Sequence, residues 1–433
     1  MILALRYFIQ KIRLVLIFIR LQHSIMTKSM LLVVAILLFQ SLHGEGSGEI
    51  AKTPPMGWNS WNCFRANINE SRIREMANVM VNSGMKEAGY QYVIIDDGWA
   101  TKQRDSTGHI IADATKFPHG IKALADYIHS KGLKFGIYSS PGCYTCQKLM
   151  GSIGHEQMDA NDYATWGVDY LKYDWCNFPS IEKEALKTPI PDCRAAFELM
   201  GNCLKKTGRP IVYSVNDECD KGTNDGALPW VKSIANMHRT GDDIKNNWDR
   251  MLYCLDLTAD LWEYAAPGYW NDPDMLEVGN DSKEALWNHI SPLTMTLQEY
   301  KTHFIMWCMV AAPLIAGNDL RSMKPEIREI LTNKALIAID QDPLGKQGRR
   351  VRKKDELEVW MKELSGGSVA VALFNRSGNP VSMTVHWNEL GIHGTRTVSD
   401  LWMHNKLGNY KNSLTAVQIK SHEARILLLS PLK

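Results

Sequence analysis

Short apolar runs that end in carboxylates recur along this chain and constrain its fold more than any other feature. One run, Asp169-Tyr-Leu-Lys-Tyr-Asp-Trp-Cys176, delivers Asp174, and another, Val93-Ile-Ile-Asp-Asp97, ends in a pair. The runs His238-Arg-Thr-Gly-Asp-Asp243 and Tyr269-Trp-Asn-Asp-Pro-Asp274 end in the same way. Buried parallel strands read as apolar runs, and their carboxyl ends lie at one face of a barrel. The acidic ends are therefore expected to converge on one cleft, which suits glycosidic-bond chemistry.

Candidate strands of this kind alternate with amphipathic stretches over most of the chain. The strands are predicted at 56–61, 91–99, 134–140, 169–176, 210–215, 237–243, 269–275 and 309–316. The clearest helical patterns between them are at 71–88, 120–131, 159–166 and 194–206. This alternation predicts an α/β fold, a (β/α)8 TIM barrel. A doubly wound open sheet would alternate similarly, but it would not place acidic ends around one cleft.

The pattern changes after Gly345 to short alternating runs that are separated by turn residues. The runs are at 356–364, 368–376, 381–387, 396–403, 414–419 and 425–430. They predict a C-terminal antiparallel β-sandwich. We place the barrel at 48–340 and the sandwich at 341–433. Two roles are open for the sandwich, packing on the barrel or binding polysaccharide, and we favour the first.

Residues 1–47 precede the predicted fold and read as a leader. A basic, apolar segment is followed from Met26 by a second basic region and an apolar stretch, and then by small and polar residues. This order predicts a signal peptide that is cut between Gly44 and Ser47, with Met26 as an alternative start. A membrane anchor would need roughly 20 unbroken apolar residues, and Lys11 and Lys28 interrupt the two candidate runs.

Other sequence features fit passage through a secretory compartment. The chain has nine cysteines, an odd number, and Cys308 within an apolar stretch is the expected buried free thiol. Three sequons are candidate glycosylation sites, at Asn69, Asn280 and Asn375. We therefore expect secretion, or delivery to a lysosome or vacuole, without stable membrane insertion.

Composition excludes several other function classes. The formal net charge of +2 implies no nucleic-acid partner. No His/Cys cluster has metal-ligand spacing and no glycine-rich loop has a phosphate-binding pattern, so we expect neither a metal nor another cofactor. The chain has 14 Trp and 15 Tyr, and aromatic faces suit the apolar faces of sugar rings, although most of these residues are expected to be packing.

The motifs occur in the order found in glycoside hydrolase family 27, and the chain resembles the α-galactosidases and α-N-acetylgalactosaminidases of that family. In the barrel, the matching segments are 53–61, 95–97, 136–138, 172–174, 239–243 and 270–275. Past the barrel, the match continues at 311–314, 318–321 and 340–347. The resemblance implies a retaining mechanism that uses two aspartates.

The resemblance implies that Asp174 is the nucleophile, which attacks the anomeric carbon and forms a covalent glycosyl-enzyme. Lys172 lies two residues earlier, so on a strand its side chain points to the same side as that of Asp174. An ammonium group there favours the ionised carboxylate and can donate hydrogen bonds to sugar hydroxyls.

The resemblance implies that Asp243 is the acid/base, which protonates the leaving oxygen and then activates water. The choice between Asp243 and its neighbour Asp242 depends on the family pattern. In that pattern the acid/base lies four residues after an arginine and directly before an isoleucine, and Arg239 with Ile244 selects Asp243. Asp242 is then expected to be a loop carboxylate.

The rest of the pocket is also implied by the resemblance. Asp96 and Asp97 resemble the carboxylates that accept hydrogen bonds from the axial 4-hydroxyl and the 6-hydroxyl. Trp61 resembles the aromatic wall, Tyr138 a contact near the reactive centre, and Arg239 a contact to the 2-position.

The last strand is expected to contribute Asp274 and Met275 to the pocket. For Asp274, contact with the sugar and orientation of neighbouring groups are both open. Asp272 is a candidate cap for the following turn.

The resemblance also implies a disulfide between Cys146 and Cys176, beside the nucleophile, with Cys146 at the substrate pocket. Cys143 competes for the same partner. A second disulfide that is common in the family is absent, because this chain has Ala66 and Gly98 at the two positions.

The segment 214–220 departs from the family at the residues that read the 2-substituent of the sugar. Asp217 stands where relatives have a glutamate that favours a 2-hydroxyl or a small residue that admits an N-acetyl group, and Glu218 replaces the next tryptophan. The departure leaves open the choice between a 2-hydroxyl and a 2-N-acetyl group.

We predict an exo-acting α-galactosidase that releases terminal galactose from oligosaccharides or glycoconjugates. The alternatives are an α-N-acetylgalactosaminidase, a β-L-arabinopyranosidase and a non-catalytic galactose-binding protein. An arabinopyranoside lacks the 6-carbon, so the presence of both Asp96 and Asp97 argues against that substrate. A binding protein would need neither Asp174 nor Asp243. The oligomeric state is open, a homodimer included.

Overall fold

The eight strands of the predicted barrel are all present and parallel. This computed structural model describes residues 50–176, 192–216, 224–281 and 294–432. The strands are β1 (Met56–Asn59), β2 (Tyr92–Ile94), β3 (Lys134–Ser139), β4 (Tyr170–Asp174), β5 (Val212–Asn216), β6 (Met237–Arg239), β7 (Trp270–Asp272) and β8 (Leu314–Ala316). They pair in the order β7-β6-β5-β4-β3-β2-β1-β8.

A parallel bridge between Leu276 and Ala316 joins the two ends of this sheet. The Leu276 backbone N–H donates to the Ile315 carbonyl at 2.8 Å, and the Gly317 N–H donates to the Leu276 carbonyl at 3.0 Å. The sheet is therefore a closed barrel. The doubly wound alternative is excluded, because the strands follow in consecutive order from β1 to β7 and the last strand, β8, pairs with β1 and is bridged to the segment after β7.

Helices connect the barrel strands. The helices are α1 (Trp61–Phe64), α2 (Glu70–Asn82), α3 (Met85–Ala88), α4 (Gly120–Ser130), α5 (Glu156–Trp166), α6 (Cys193–Lys206), α7 (Asn224–Ile234), α8 (Trp248–Ala259), α9 (Leu297–Met309), α10 (Pro325–Leu331) and α11 (Lys334–Asp340). Short 3₁₀ helices lie at Leu320–Ser322, Ser365–Gly367 and Trp387–Leu390.

Most predicted elements have somewhat different bounds in the structure, and the cause is clear for two of them. The helix predicted at 71–88 is divided into α2 and α3, because Gly84 adopts a left-handed φ of 88° between them. The strand predicted at 309–316 is reduced to β8, since its first residue still belongs to α9. The run from Phe304 to Ile315 is apolar throughout, and its periodicity does not separate a buried helix from a buried strand.

The C-terminal part of the chain forms two antiparallel sheets. The strands are β9 (Arg349–Lys354), β10 (Leu357–Glu363), β11 (Val369–Asn375), β12 (Val381–His386), β13 (Thr395–Asp400), β14 (Asn405–Lys411), β15 (Ser413–Ile419) and β16 (Ala424–Pro431). One sheet has the order β14-β13-β16-β11-β10-β9, and the other pairs β12 with β15. The two sheets share a hydrophobic core, which includes Val371 and Leu427 from the larger sheet and Val385 from the smaller one.

The C-terminal sheets pack on the barrel helices through α9, which is buried on nearly all sides. The Lys362 ammonium of β10 donates to the Cys308 carbonyl at 2.9 Å, and the Thr302 hydroxyl donates to the His422 carbonyl at 2.6 Å. Cys308 is a buried free thiol, as predicted. These contacts favour a packing role for the sandwich.

Helix α8 carries a second set of contacts to the C-terminal strands. Asp256 of α8 accepts hydrogen bonds from Arg350 at 2.8 Å and from Arg376 at 2.7 Å. Both arginines also pair with Glu358 of β10, which is fully buried. About two turns nearer the start of the helix, the ring of Trp248 stacks on His422 at a centroid distance of 4.3 Å.

The leader predicted at 1–47 lies outside the described residues, as do its proposed cut and alternative start. In the described part of the chain, no helix is both long enough and apolar enough to cross a bilayer.

Two of the three sequon asparagines are buried, and their amide groups are already hydrogen-bonded. The Asn280 Nδ2 donates to Glu277 Oε2 at 2.6 Å and to the Asn62 carbonyl at 3.1 Å. The Asn375 Nδ2 donates to the carbonyls of Asn379 and Lys420. A glycan on either asparagine would break these bonds, so the structure does not support Asn280 or Asn375 as acceptors.

Secreted protein is therefore expected to carry its N-glycan at Asn69 and to have none at Asn280 or Asn375. Asn69 is half-buried at the start of α2, where its Oδ1 caps the Arg72 N–H at 2.9 Å. Peptide mass spectrometry after enzymatic deglycosylation in heavy-oxygen water measures the occupancy of each site. A glycan at Asn280 would contradict the buried amide seen here.

Candidate active site

The carboxyl ends of the barrel strands surround a pocket of about 230 Å³. Its lining residues are Trp61, Asn62, Asp96, Asp97, Tyr138, Cys146, Gln147, Lys172, Asp174, Trp175, Cys176, Asn216, Arg239, Asp243, Asp274 and Met275. The pocket thus unites every site residue predicted from the sequence except Asp217, which lies outside the described residues.

Four lining residues were not predicted from the sequence: Asn62, Gln147, Trp175 and Asn216. The sequence carried a signal for two of them. Trp175 follows Asp174 directly, and Asn216 ends β5, the strand next to β4. Asn62 lies in the short helix α1 and Gln147 in the loop after β3, and only the folded chain shows that these segments reach the pocket.

Asp174 is buried at the end of β4 and keeps one oxygen without a hydrogen bond. The Lys172 ammonium is 3.4 Å from Asp174 Oδ2 and 2.9 Å from Asp96 Oδ2. Asp174 Oδ1 is buried and has no hydrogen-bond partner in the described part of the chain. Burial raises the pKa of Asp174 to about 7, against the opposing effect of Lys172. One oxygen is thus held by a cation, while the other has no donor among the described residues.

Asp243 differs from Asp174 in its exposure. Its side chain is 62 % exposed, and its Oδ1 is 3.2 Å from the Arg239 guanidinium. Desolvation acts to raise the pKa of Asp243. The positive charges of Arg239 and Lys172 outweigh this effect and hold the pKa below its usual value. The side chain of Asp242 is 73 % exposed, pairs with Arg250 at 3.5 Å and does not line the pocket.

The loop that carries Asp243 lies along one side of α8. A Cβ atom on Gly241 would collide with the Leu257 side chain, so this glycine allows the loop to approach the helix closely. Two turns nearer the start of the helix, the Arg250 Nε donates to the Asp243 carbonyl at 2.6 Å. Helix α8 therefore fixes the position of the Asp243 backbone.

The paired carboxylates after β2 are held by different donors. Asp96 Oδ2 accepts from the Asn59 side chain at 2.8 Å. Asp97 Oδ2 accepts from the Gln147 backbone N–H at 2.7 Å, and Oδ1 accepts from the Gly98 N–H at 2.8 Å. Burial raises the pKa of Asp97 to about 6. These bonds fix both groups as acceptors that face the pocket.

Asp274 mainly orients its neighbours. Its Oδ2 is 3.0 Å from the Arg239 guanidinium and accepts from the Ile244 N–H at 2.8 Å. It therefore links the arginine to the loop of Asp243, which supports the orienting role. Asp272 accepts from the Asp274 N–H at 2.9 Å and caps the turn, as the sequence suggested.

Cys146 and Cys176 form the disulfide implied by the sequence resemblance, and Cys143 is a free thiol. The bridge joins the loop after β3 to the end of β4, two residues past Asp174. The Tyr138 hydroxyl lies 3.2 Å from the Cys176 sulfur. The disulfide therefore fixes the wall of the pocket beside Asp174.

Ala66 and Gly98 lie against each other, although no disulfide joins the two positions. A Cβ atom on Gly98 would be 2.8 Å from the Ala66 Cα. The Lys116 ammonium donates to the Ala66 carbonyl at 3.0 Å and to the Gly98 carbonyl at 2.7 Å. A lysine side chain thus connects the loops after β1 and β2.

In the described residues, no group of His, Cys, Asp and Glu side chains is arranged to hold a metal ion.

Comparison with known protein families accounts for both parts of the fold. Residues 53–342 match the family model described as α-galactosidase A, and residues 354–429 match the one described as the α-galactosidase C-terminal β-sandwich domain. This chain belongs to the melibiase family, glycoside hydrolase family 27. It is therefore a glycoside hydrolase of the α-galactosidase type.

Relatives of this melibiase-family chain match over most of their length. It is 44 % identical to an α-galactosidase of Cyamopsis tetragonoloba over 385 residues, which cover 88 % of this chain and 87 % of the relative. It is 40 % identical to α-galactosidase A of Homo sapiens over 367 residues, covering 79 % of each chain.

Solved structures of the melibiase family share its fold. α-Galactosidase I from Mortierella vinacea aligns with a TM-score of 0.77 at 33 % identity, covering 88 % of this chain and 97 % of that one. An α-galactosidase from Saccharomyces cerevisiae, solved with raffinose, aligns with a TM-score of 0.76 at 28 % identity, covering 90 % of this chain and 100 % of that one.

Proposed function

We propose that this chain is a retaining exo-α-galactosidase that removes terminal α-D-galactose from oligosaccharides or glycoconjugates. The observation that carries the proposal is the pocket in which a buried Asp174, paired with Lys172, shares a wall with an exposed Asp243. Support comes from relatives named α-galactosidases that are 39 to 44 % identical over most of the chain.

Asp174 acts as the nucleophile in this proposal. Its Oδ1 attacks the anomeric carbon while Asp243 donates a proton to the glycosidic oxygen, so the carbon–oxygen bond to the leaving group breaks as the bond to Asp174 forms. Asp243 then takes a proton from water, and the water oxygen attacks the same carbon and releases Asp174. Lys172 holds the other oxygen of Asp174 throughout.

The remaining pocket residues bind the galactose. Asp96 and Asp97 accept hydrogen bonds from the 4- and 6-hydroxyls. Hydrogen bonds from neighbouring groups hold both side chains in place, and an ionised carboxylate can only accept hydrogen bonds. Trp61 forms the apolar wall, Tyr138 lies near the reactive centre, and Arg239 reaches the 2-position. Cys146, Met275 and Asp274 complete the enclosure, and a cavity of about 230 Å³ suits one terminal sugar.

The pH profile of kcat/KM is expected to be bell-shaped with an acidic optimum. Turnover needs an ionised Asp174 and a protonated Asp243. Below the lower of the two pKa values both carboxyls are protonated and the nucleophile is lost. Above about 7, the raised pKa of Asp174, both are ionised and the acid is lost. The profile on nitrophenyl α-galactoside measures both limits, and an optimum above pH 8 would contradict this assignment.

The proposed substrate is tested by comparing kcat/KM on nitrophenyl α-galactoside, α-N-acetylgalactosaminide and β-L-arabinopyranoside. A galactoside preference above about a hundredfold corresponds to roughly 3 kcal/mol of differential transition-state binding and supports the proposal. Faster turnover of the N-acetyl substrate would overturn the substrate and keep the mechanism. Failure to turn over any of the three would favour the galactose-binding protein.

A β-L-arabinopyranosidase is a further candidate after the α-N-acetylgalactosaminidase, because one such enzyme from Geobacillus stearothermophilus aligns with a TM-score of 0.77 at 26 % identity. Asp96 and Asp97 are both present and both line the pocket here, which favours a sugar with a 6-hydroxyl.

Secretion, or delivery to a lysosome or vacuole, is the localisation that we propose with this function. The basis is the sequence of residues 1–47 and the disulfide beside Asp174. The homodimer stays a prediction.

A further inference from the structure

Asn62 lines the pocket without having a role in the function proposed above. It lies in the short helix α1, directly after Trp61. The residue is only 4 % exposed, yet it belongs to the pocket lining. The small surface that Asn62 leaves uncovered therefore faces the pocket.

Contacts behind the pocket hold the side chain of Asn62 in one orientation. Its Nδ2 donates to Glu277 Oε1 at 2.8 Å, and its backbone carbonyl accepts from the Asn280 side chain at 3.1 Å. A Cβ atom on Gly317 would be only 3.0 Å from the Asn62 Cβ, so this glycine allows the chain after β8 to pack closely on the side chain. The amide of Asn62 is thus fixed from two sides.

Glu277 is itself held firmly in the wall behind Asn62. Its Oε2 accepts from the Asn280 side chain at 2.6 Å, and its backbone N–H donates to His303 Nε2 at 3.1 Å. Burial lowers the pKa of His303 to about 3, so the ring is neutral and its Nε2 can accept. Helix α9 therefore fixes the backbone of Glu277, and the Glu277 carboxyl orients the amide of Asn62.

The other atom of this amide is left for a ligand. Asn62 Oδ1 forms no hydrogen bond within the described part of the chain, and unlike Asp174 Oδ1 it is not enclosed by protein atoms. Because Asn62 is covered except at the pocket, the pocket is the space that Oδ1 faces. A fixed polar atom without a protein partner, in a pocket the size of one sugar, indicates a hydrogen bond to the substrate.

A sugar hydroxyl suits this position in either protonation state of Glu277. Burial raises the pKa of the Glu277 carboxyl to about 8, although hydrogen bonds from Asn280 and Asn62 act to lower it. An ionised Glu277 accepts from both amides and leaves Asn62 Oδ1 toward the pocket, as seen here. A protonated Glu277 also has a donor, and the amide can turn to present its Nδ2. A hydroxyl both donates and accepts, so it can bind either atom.

We infer that Asn62 is a further substrate-binding residue, whose Oδ1 accepts a hydrogen bond from a sugar hydroxyl while Glu277 orients the amide. This inference rests on the proposed galactosidase function. The hydroxyl can belong to the terminal galactose or to the sugar that leaves, and the pocket, which suits one sugar, favours the galactose.

The test measures kcat/KM of Asn62→Ala on substrates that differ in single hydroxyls and in the leaving group. The substrates are melibiose, α-galactosyl fluoride, nitrophenyl α-galactoside and the 2-, 3-, 4- and 6-deoxy forms of that galactoside. We expect a loss of about tenfold on the three parent substrates, as for one lost hydrogen bond. The deoxy form that lacks the bound hydroxyl should lose less than about twofold, because the variant then removes a contact that is already absent.

The pattern of losses separates the possible outcomes. A loss on melibiose alone would assign the bound hydroxyl to the leaving sugar and would still support Asn62 as a substrate contact. An equal loss on every substrate, with no deoxy form spared, would overturn the inference, since it would show that Asn62 only supports the pocket wall. Unchanged kcat/KM on all of them would also overturn it.

Asn280→Ala is the matched control. Asn280 is a buried asparagine that donates to the same carboxyl, but it does not line the pocket. The variant should lose stability to a similar extent, and any change in kcat/KM should be alike on all the substrates.

Thermal unfolding of each variant checks the fold, and Asn62→Ser serves as a second variant if Asn62→Ala does not fold. The shorter side chain keeps a polar group beside Glu277 and removes the outward oxygen, so the same deoxy form should be spared. Failure of the wild-type protein to cleave α-galactosyl fluoride would instead refute the proposed function itself.

Discussion

Replacing Asp174 with asparagine is expected to lower kcat/KM by roughly 10⁴-fold or more, since an amide cannot form the covalent glycosyl intermediate. The substitution preserves the size of the side chain in a buried position. Galactose should still bind, because Asp96 and Asp97 are held by their own donors. Steady-state kinetics on nitrophenyl α-galactoside and calorimetric titration with galactose measure the two effects separately.

Asp169→Asn is the matched control for this substitution. Asp169 lies just before the other end of β4 and pairs with Arg209 at 2.6 Å and with His129 at 2.7 Å, away from the pocket. The variant should lose stability but keep its turnover within a few-fold.

Azide gives a second test of the role of Asp174. In Asp174→Gly, azide can enter the space left by the side chain and attack the anomeric carbon from that face. The expected product is β-galactosyl azide, which nuclear magnetic resonance identifies. Turnover of Asp174→Asn at the wild-type rate would show that another group is the nucleophile.

The loss of kcat/KM in Asp243→Asn is expected to depend on the leaving group of the substrate. On melibiose, kcat/KM should fall by roughly 10²- to 10⁴-fold, the usual contribution of a general acid. On α-galactosyl fluoride the loss should be far smaller, because fluoride leaves without a proton. Kinetics on the two substrates measure this difference directly.

Asp242→Asn is the neighbouring control for that experiment. Asp242 is exposed, pairs with Arg250 and lies outside the pocket lining, so its loss should change kcat/KM only a few-fold on either substrate. A leaving-group-dependent loss in Asp242→Asn, with none in Asp243→Asn, would exchange the two assignments.

Much of the barrel and the site could be predicted, because in this sequence the acidic residues of the pocket lie at or directly after the ends of the strands. Runs such as the one that ends at Asp174 carry both the apolar character of a buried strand and the reactive group. The pairing of Cys146 with Cys176 also followed from the family resemblance, and the structure confirms it.

Two strands were missed for a physical reason. β9 (Arg349–Lys354) and β14 (Asn405–Lys411) are rich in polar and charged residues and form the two edges of the larger C-terminal sheet. Edge strands carry such residues because one side is unpaired, so apolar alternation does not reveal them. The sequons at Asn280 and Asn375 predicted glycosylation at two asparagines that are buried in the structure. A motif of three residues contains no information on burial.

Contacts between distant segments could not be predicted at all. The hydrogen bonds of Lys116 to the loops after β1 and β2, and the position of Arg65 on Trp61, depend on how these loops approach one another. Neither residue stands in a motif, so nothing in the sequence indicated these contacts.

Helix α8 (Trp248–Ala259) has the Asp243 loop on one side and the C-terminal strands on another. Arg250 holds the loop backbone, while Asp256 and Trp248 hold Arg376 and His422. The segment that carries the proposed acid/base is therefore held in place from outside the barrel. A fragment ending near residue 340 would keep Asp174 and Asp243, the proposed catalytic carboxylates, but would lose these contacts, so we expect the smallest unit that keeps them aligned to extend through β16. Evolution or engineering can therefore exchange the C-terminal sheets of this enzyme only together with the side of α8 that contacts them.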